Sequence, residues 1–214
     1  MGKTASGMAA VVAGEVSKKF PGHEVLLATL KGVRPLIVHN VRLADPMDPY
    51  ARGIAAINAK GSKKITEKDA EERQRLEFIG GLYTEPEIGP VIPGQVFMGL
   101  LKSAAKNLQR GLQMDMRGGV VIPDPMKILY EGPRDPEKLW ALQAFRFLVP
   151  VRVKQSKVMR MRPIFRSWSL DLELHYEPRR IGRDTMVKLL STAGDLGLCE
   201  HRPEFGRFMV ELKN

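Results

Sequence analysis

Residues 166–198 read RSWSLDLELHYEPRRIGRDTMVKLLSTAGDLGL. In the first part of that stretch Trp168, Leu170, Leu172 and Leu174 alternate with Ser169, Asp171, Glu173 and His175. A period of two sends the apolar set to one face and the polar set to the other, as in a half-buried strand. RDTMVKLLSTAGDLGL then carries its apolar residues at helical spacing and is closed by Gly194 or Gly197. EFGRFMVEL, residues 204–212, follows as a last strand, with Phe205, Val210 and Leu212 as candidate core residues. The carboxyl-terminal half therefore predicts strand, helix, strand.

Upstream, the same order recurs with material inserted into it. EVLLATLKGVRPLIV, residues 24–38, predicts a strand over Val25 to Val33 and an extended stretch bent at Pro35. Pro46 and Pro49 each follow an Asp, which suits a turn and a short helix over 50–58. GSKKITEKDAEERQRLEFIGG predicts a longer helix, with Thr66 as N-cap, Asp69 as an imperfect capping-box partner and Gly80-Gly81 as its end. Pro93 precedes a further helix whose Val96, Phe97, Leu100, Leu101, Ala104, Ala105 and Leu108 repeat every 3.6 residues, with Gly111 as the stop. Strand-like segments at 119–130, split by Pro123 and Pro125, and at 144–153 lead back to the opening stretch.

Without its insertions the order is β-α-β-β-α-β. That is the ferredoxin-like plan, an α+β antiparallel sheet that also underlies the RNA-recognition motif. The expected organisation is a flexible leader over 1–22 and a single domain over 23–214, with a helical insertion at about 45–80 and a basic hairpin at about 150–166.

Charge narrows the function. Lys and Arg number 34 against 24 Asp and Glu, a net charge of +10, and the pI is near 9.8. Such an excess attracts polyanions, above all phosphate backbones. Cys199 is the single cysteine, so no internal disulfide or cysteine zinc cluster forms. Its apolar neighbours Leu196 and Leu198 suit a buried structural thiol. His23, His39, His175 and His201 show no metal-ligand spacing, so neither metal nor cofactor is expected. No apolar run approaches the ~20 residues of a membrane span. The opening MGKTASGMAAVVAG lacks the form of a signal peptide, and the expected compartment is the cytoplasm, without membrane association.

The basic stretch 150–183 carries nine Lys or Arg against three acidic residues. On a strand Arg160 and Arg162 share a face about 7 Å apart, close to the spacing of successive phosphates. Lys154, Lys157, Arg160, Arg162 and Arg166 are thus candidate backbone contacts, and Phe165 is a candidate stacker for a base. Trp168 shares the parity of the strand leucines and belongs in the core; the bland alternative for the whole stretch is a solvated hairpin. Lys102 and Lys106, one turn apart on the helix after Pro93, add charge behind a glycine-led helix start. Gly194, Gly197 and Gly206, ringed by His201, Arg202 and Arg207, suit a phosphate-binding loop or an RNA-cleaving site with His as base; His39-Asn40 has the same status.

Three segments together carry a resemblance. LKGVRPLIVH (Leu30 to His39), PVIPGQVFMGLLKSA (Pro90 to Ala104) and the end EFGRF (Glu204 to Phe208) resemble the RAMP superfamily, ferredoxin-like RNA-binding proteins that form the backbone of CRISPR effector complexes. Gln95 and Met98 stand where that family's I-P-G-S-x-x-K-G motif has Ser and Lys. The stretch Gly194 to Phe208 is also similar to a group of phage proteins ending in G-x-G-x-x-R-P-x-x-G-R-F. The resemblance implies a basic hairpin that holds a strand and copies that polymerise along it.

The expectation is accordingly a non-enzymatic protein that binds single-stranded DNA or RNA with little sequence preference and oligomerises along the strand. The alternatives are a metal-independent RNA-processing endoribonuclease using His39 or His201, and a structural or virion scaffold protein.

Overall fold

The computed structural model describes residues 20–123, 125–153 and 156–213. The core is the expected β-α-β-β-α-β arrangement in an α+β, ferredoxin-like fold. β1 (Glu24–Gly32) leads, after an insertion, into a helix at Gly94–Leu108. A broken second strand follows as β5 (Val120–Val121) and β6 (Met126–Leu129), divided at Pro123 and Pro125 as the sequence predicts. β9 (Ser169–Tyr176), the helix Arg183–Leu196 and β10 (Phe208–Leu212) complete it.

Register sets the layout. β1 pairs antiparallel with β10 on one side and with β9 on the other, and β9 pairs with both β5 and β6. The order across the sheet is β10-β1-β9-β6, extended by two short strands, β4 (Gly89–Ile92) and β3 (Thr84–Glu85). Leu26, Ala28 and Leu30 of β1 and Leu170, Leu172 and Leu174 of β9 point to one face, where both core helices cover them. Phe97, Leu100, Leu101 and Ala104 from the first helix and Met186, Leu189, Leu190 and Ala193 from the second fill that layer. Each buried Phe, Leu or Met side chain there contributes about 1.5–3 kcal/mol.

The insertion after β1 adds β2 (Leu36–Ile37), α1 (Pro49–Ala59) and α2 (Glu67–Gly81). Asp48 caps α1, accepting the Tyr50 and Ala51 N–H groups, with Pro49 at the first helical position. Thr66 and Asp69 form a complete capping box, with the Asp69 carboxylate on the Thr66 N–H at 3.1 Å. α2 ends at Gly81, as the sequence predicts, with Gly80 and Gly81 as its last two helical residues. A Cβ on Gly80 would stand 2.8 Å from the Tyr50 Cβ, so the glycine serves close packing. The two core helices and the two smaller ones are α3 (Gly94–Leu108), α4 (Leu112–Gly119), α5 (Pro136–Ala141) and α6 (Arg183–Leu196).

The basic hairpin is longer than 150–166: it consists of β7 (Arg146–Val153) and β8 (Ser156–Phe165), with β2 on the outer edge of β8. At β10, Phe208 is the buried residue, Val210 is half-buried, and Leu212 is 40% exposed, because β10 is the sheet's edge and runs past the helices. None of the described helices is long and apolar enough to cross a membrane.

Candidate nucleic-acid interface

Three stretches of chain converge where β1 leaves the sheet. Residues 33–38 run alongside β8: Leu36 and Ile37 pair with Phe165 and Ile164, and the Val38 N–H donates to the Pro163 carbonyl at 3.1 Å. The loop between α6 and β10 folds onto the same segment. Its Glu200 N–H donates to the Ile37 carbonyl at 3.1 Å and its Gly206 N–H to that of Pro35 at 2.8 Å. Gly206 has φ 72°, and a Cβ there would lie 2.0 Å from the Leu198 carbonyl oxygen, so this closure requires glycine. Cys199 and His201 hold φ of 66° and 55°, left-handed values that cost side-chain-bearing residues energy and gather at functional loops.

A charged cluster lies under that loop. Arg162 on β8 is only 8% exposed; its Nη1 donates to the Met161 carbonyl at 3.1 Å, while its buried Nε has no partner. Burial holds its pKa below the ordinary arginine value, aided by Arg160 and opposed by Glu77 and Glu200. His39 follows β2, and its Nδ1 is buried without a partner, as is Nε2 of His201. Burial, Arg162, Arg160 and His201 lower the His39 pKa to about 4 against the pull of Glu200, so its imidazole is neutral at physiological pH. Tyr83 donates its hydroxyl to the His39 carbonyl at 3.4 Å, and Asn40 donates to the Leu82 carbonyl at 3.0 Å, fixing this segment against the end of α2.

Two rings close the cluster. Phe147 of β7 stands directly opposite Arg162 across the hairpin, so both point to the same face. The Phe147 and Phe205 rings are 5.7 Å apart, and Phe205 is 6.3 Å from the His201 ring. Both phenylalanines are half-buried. A desolvated guanidinium, two imidazoles and two flat apolar rings thus cluster at one place, with groups suited to a phosphate and to the faces of bases.

The residues expected from sequence separate into several places. Arg160 lies on the Arg162 face, but its charge is engaged by Glu77 at 2.6 Å. Phe165 is 1% exposed and packs on Tyr130 and Phe145, and β2 pairs along it at Leu36, so it is a core residue and not a stacker. Lys157 and its cross-strand partner Arg152 are exposed on the opposite face of the hairpin, with Pro150 and Met159. Lys154 lies outside the described residues. Arg166 is exposed and donates to the Ala144 carbonyl.

Arg202 is exposed in the α6–β10 loop, and Arg207 pairs with Asp195 at 3.2 Å. Lys102 borders a separate groove with Gln95, Met98 and Ile122, while Lys106 is exposed further along α3. Among the described residues no group of His, Cys, Asp and Glu is arranged to hold a metal ion.

Among the described residues, the open sheet face does not offer the aromatic platform of an RNA-recognition motif. Its outward rows hold Lys31 paired with Glu211 at 2.7 Å, Asp171 bound by Lys213 at 2.6 Å, and Glu173 bound by His175 at 2.7 Å. Phe20 covers His175 with ring centroids 4.9 Å apart. Phe147, Phe205, which the sequence assigns to the core, and Glu77 beside the cluster are the residues that sequence reasoning missed. Phe147 sits in an unbroken apolar run, FLVPV, and nothing in that run distinguishes it from core.

No family model matches the chain, and no curated protein does. Among solved structures, a chain from the cryo-EM structure of the type III-B Cmr-beta bound to cognate target RNA is similar over 99% of this chain and 68% of that one. The identity is 11% and the TM-score 0.47.

Proposed function

We propose that this chain binds single-stranded nucleic acid through its sugar–phosphate backbone. One phosphate would sit over Arg162, His39 and His201, and adjoining bases would rest on Phe147 and Phe205. The strand would wrap around the β7 edge of the hairpin to reach Lys157 and Arg152 on its opposite face, with further copies of the chain adding along it.

The observation that carries this reading is the buried Arg162 Nε without a partner, beside two buried imidazole nitrogens that also have none. A charged donor withdrawn from water costs several kcal/mol unless something meets it, and a phosphate oxygen would meet the Arg162 Nε–H, joined by either imidazole in the tautomer that carries its proton on the unpartnered nitrogen. A neutral His39 leaves that position without an added positive charge, and the overall +10 draws polyanions toward the surface. In this reading the chain is a binder and not a catalyst.

The test is fluorescence anisotropy with labelled single-stranded RNA, single-stranded DNA and duplex DNA, with light scattering on the same samples. Single-strand binding that weakens with salt, accompanied by growth of large particles, is the expected result. Binding no stronger than that of a neutral polymer would reject it, and particles formed without nucleic acid would favour a scaffold.

One observation favours a second reading. His39 comes within electrostatic range of both His201, far away in sequence, and Arg162. A neutral imidazole can take the 2′-hydroxyl proton of RNA, and a neighbouring cation can stabilise the developing charge. Cleavage of RNA but not DNA, abolished by His39→Ala or His201→Ala, would favour this metal-independent nuclease over a pure binder.

A further inference from the structure

A recess lies at the same end of the sheet and shares no side chain with the Arg162 cluster. Lys31, Ser169 and Leu129 form one row across β1, β9 and β6, and beyond them the chain leaves a groove of about 710 Å³. That volume falls within the ~300–1,000 Å³ of small-molecule sites. Tyr130, Phe145 and Trp168 line it, with Lys31, Arg166 and Glu131 also at its walls.

The rings are held in place before any ligand arrives. The Trp168 indole N–H donates to the Arg34 carbonyl at 2.8 Å, and its ring lies on bare backbone at Gly32, where a Cβ would approach it to 2.3 Å. Tyr130 donates its hydroxyl to the Pro133 carbonyl at 2.5 Å, and the Arg134 guanidinium covers its ring at 4.2 Å. Phe145 meets Tyr130 edge-on at 5.6 Å. Fixed rings bind a flat partner with little ordering cost.

The cations are available to that partner. Arg166 is exposed and makes no ion pair among the described residues. Lys31 is held by Glu211 in a pair that is half in solvent, and exposed pairs of this kind contribute little and exchange readily. Glu131 supplies an acceptor for a base amino group.

We propose that this groove is a binding site for one nucleoside 5′-monophosphate unit, with the base against Phe145 and Tyr130, beside the edge that the 5%-exposed Trp168 presents to the groove, and the phosphate between Arg166 and Lys31. The proposal goes beyond the strand-binding reading, because a free nucleotide and a nucleotide within a strand satisfy the same groups.

Trp168 reports on the site directly. The chain has two tryptophans, so Trp140→Phe leaves Trp168 as the single emitter. That variant is titrated with AMP, with ribose 5-phosphate and with a labelled adenine pentanucleotide whose anisotropy is read in parallel. Saturable quenching by AMP or by the pentanucleotide, but not by ribose 5-phosphate, is expected. Quenching by AMP identifies a free nucleotide as a ligand, and quenching by the pentanucleotide alone identifies a unit of a strand.

Because Trp140 packs on Phe78, calorimetry on the native chain repeats the titrations without that substitution. There Arg166→Ala, an exposed change, weakens the binding roughly tenfold. Pentanucleotide bound with Trp168 emission and AMP heats unchanged overturns the groove alone. AMP quenching with no strand bound at any salt overturns the strand reading and leaves the groove standing. Equal effects of AMP and ribose 5-phosphate overturn the base site.

Discussion

One carboxylate oxygen of Glu77 accepts from the Arg160 guanidinium at 2.6 Å, while the other accepts the Met161 backbone N–H at 2.8 Å. The second bond stands in for a missing neighbour strand. β2 pairs with β8 only at Ile164 and Phe165, so the edge at Met161 would otherwise end on a buried, unsatisfied donor. A helix thereby fixes the edge of the hairpin and sets Arg160 and Arg162 beneath the α6–β10 loop.

Removing that carboxylate is therefore costly. Glu77→Ala leaves both the Met161 N–H and a partly buried Arg160 without an acceptor. It should lower stability by about 2–4 kcal/mol, measured by urea denaturation. Glu77→Gln keeps an acceptor for the N–H and should lose roughly half as much. A change of a few tenths of a kcal/mol in the Ala variant would contradict the role given to Glu77.

The aromatic residues divide by role. Phe165→Ala should cost about 3–5 kcal/mol in folding, as a core truncation. Phe147→Ala and Phe205→Ala should instead weaken strand binding by about 1–3 kcal/mol each with smaller effects on melting. Melting curves and anisotropy titrations on the three variants decide the matter; loss of binding in a stably folded Phe165 variant alone would reverse the assignment.

How far sequence carries is visible in these side chains. The alternation of Leu170, Leu172 and Leu174, the 3.6 spacing through Phe97, Leu101 and Ala104, and the Thr66–Asp69 cap are local signals, and the core elements they predict are present. β8 misleads for a physical reason. Its alternation of Met159, Met161 with Arg160, Arg162 reads as one wet basic face, yet α2 and the α6–β10 loop cover the Arg162 end of that face. The folding of residues 198–206 onto 35–37 joins parts of the chain far apart in sequence, and no local period encodes it. The cluster forms only through that long-range closure, so Phe147, Phe205 and His39 could not be assembled from their spacing.

His39 makes folding pH-dependent in a defined direction. Its folded pKa of about 4 lies below the ordinary 6.5, so the unfolded chain takes up a proton that the folded one refuses. Its contribution is complete above about pH 6.5 and is lost as the pH falls toward about 4. His39→Gln should flatten stability across that window in urea melts, and an NMR titration of the native chain should place the imidazole midpoint near 4. A bound strand should move that midpoint upward, since a phosphate favours the protonated ring. A midpoint near 6.5 in the free protein would contradict the burial described for this site.

Cys199 should be inert. Desolvation of the half-buried side chain, reinforced by the Glu200 carboxylate and only partly offset by Arg202, pushes its thiol up to about 12. Native protein at about pH 8 should react with an aromatic disulfide reagent far more slowly than urea-unfolded protein does. Comparable rates would show that the α6–β10 loop is open in solution.

The most direct test of the phosphate seat is the salt dependence of single-strand binding in Arg162→Met. Methionine fills similar space without a charge to desolvate, so the variant should fold at least as stably as the native chain. Its binding should weaken, and the slope of log affinity against log salt should shrink by about one, the signature of one lost phosphate contact. An unchanged slope and affinity in a folded Arg162→Met variant would contradict the account.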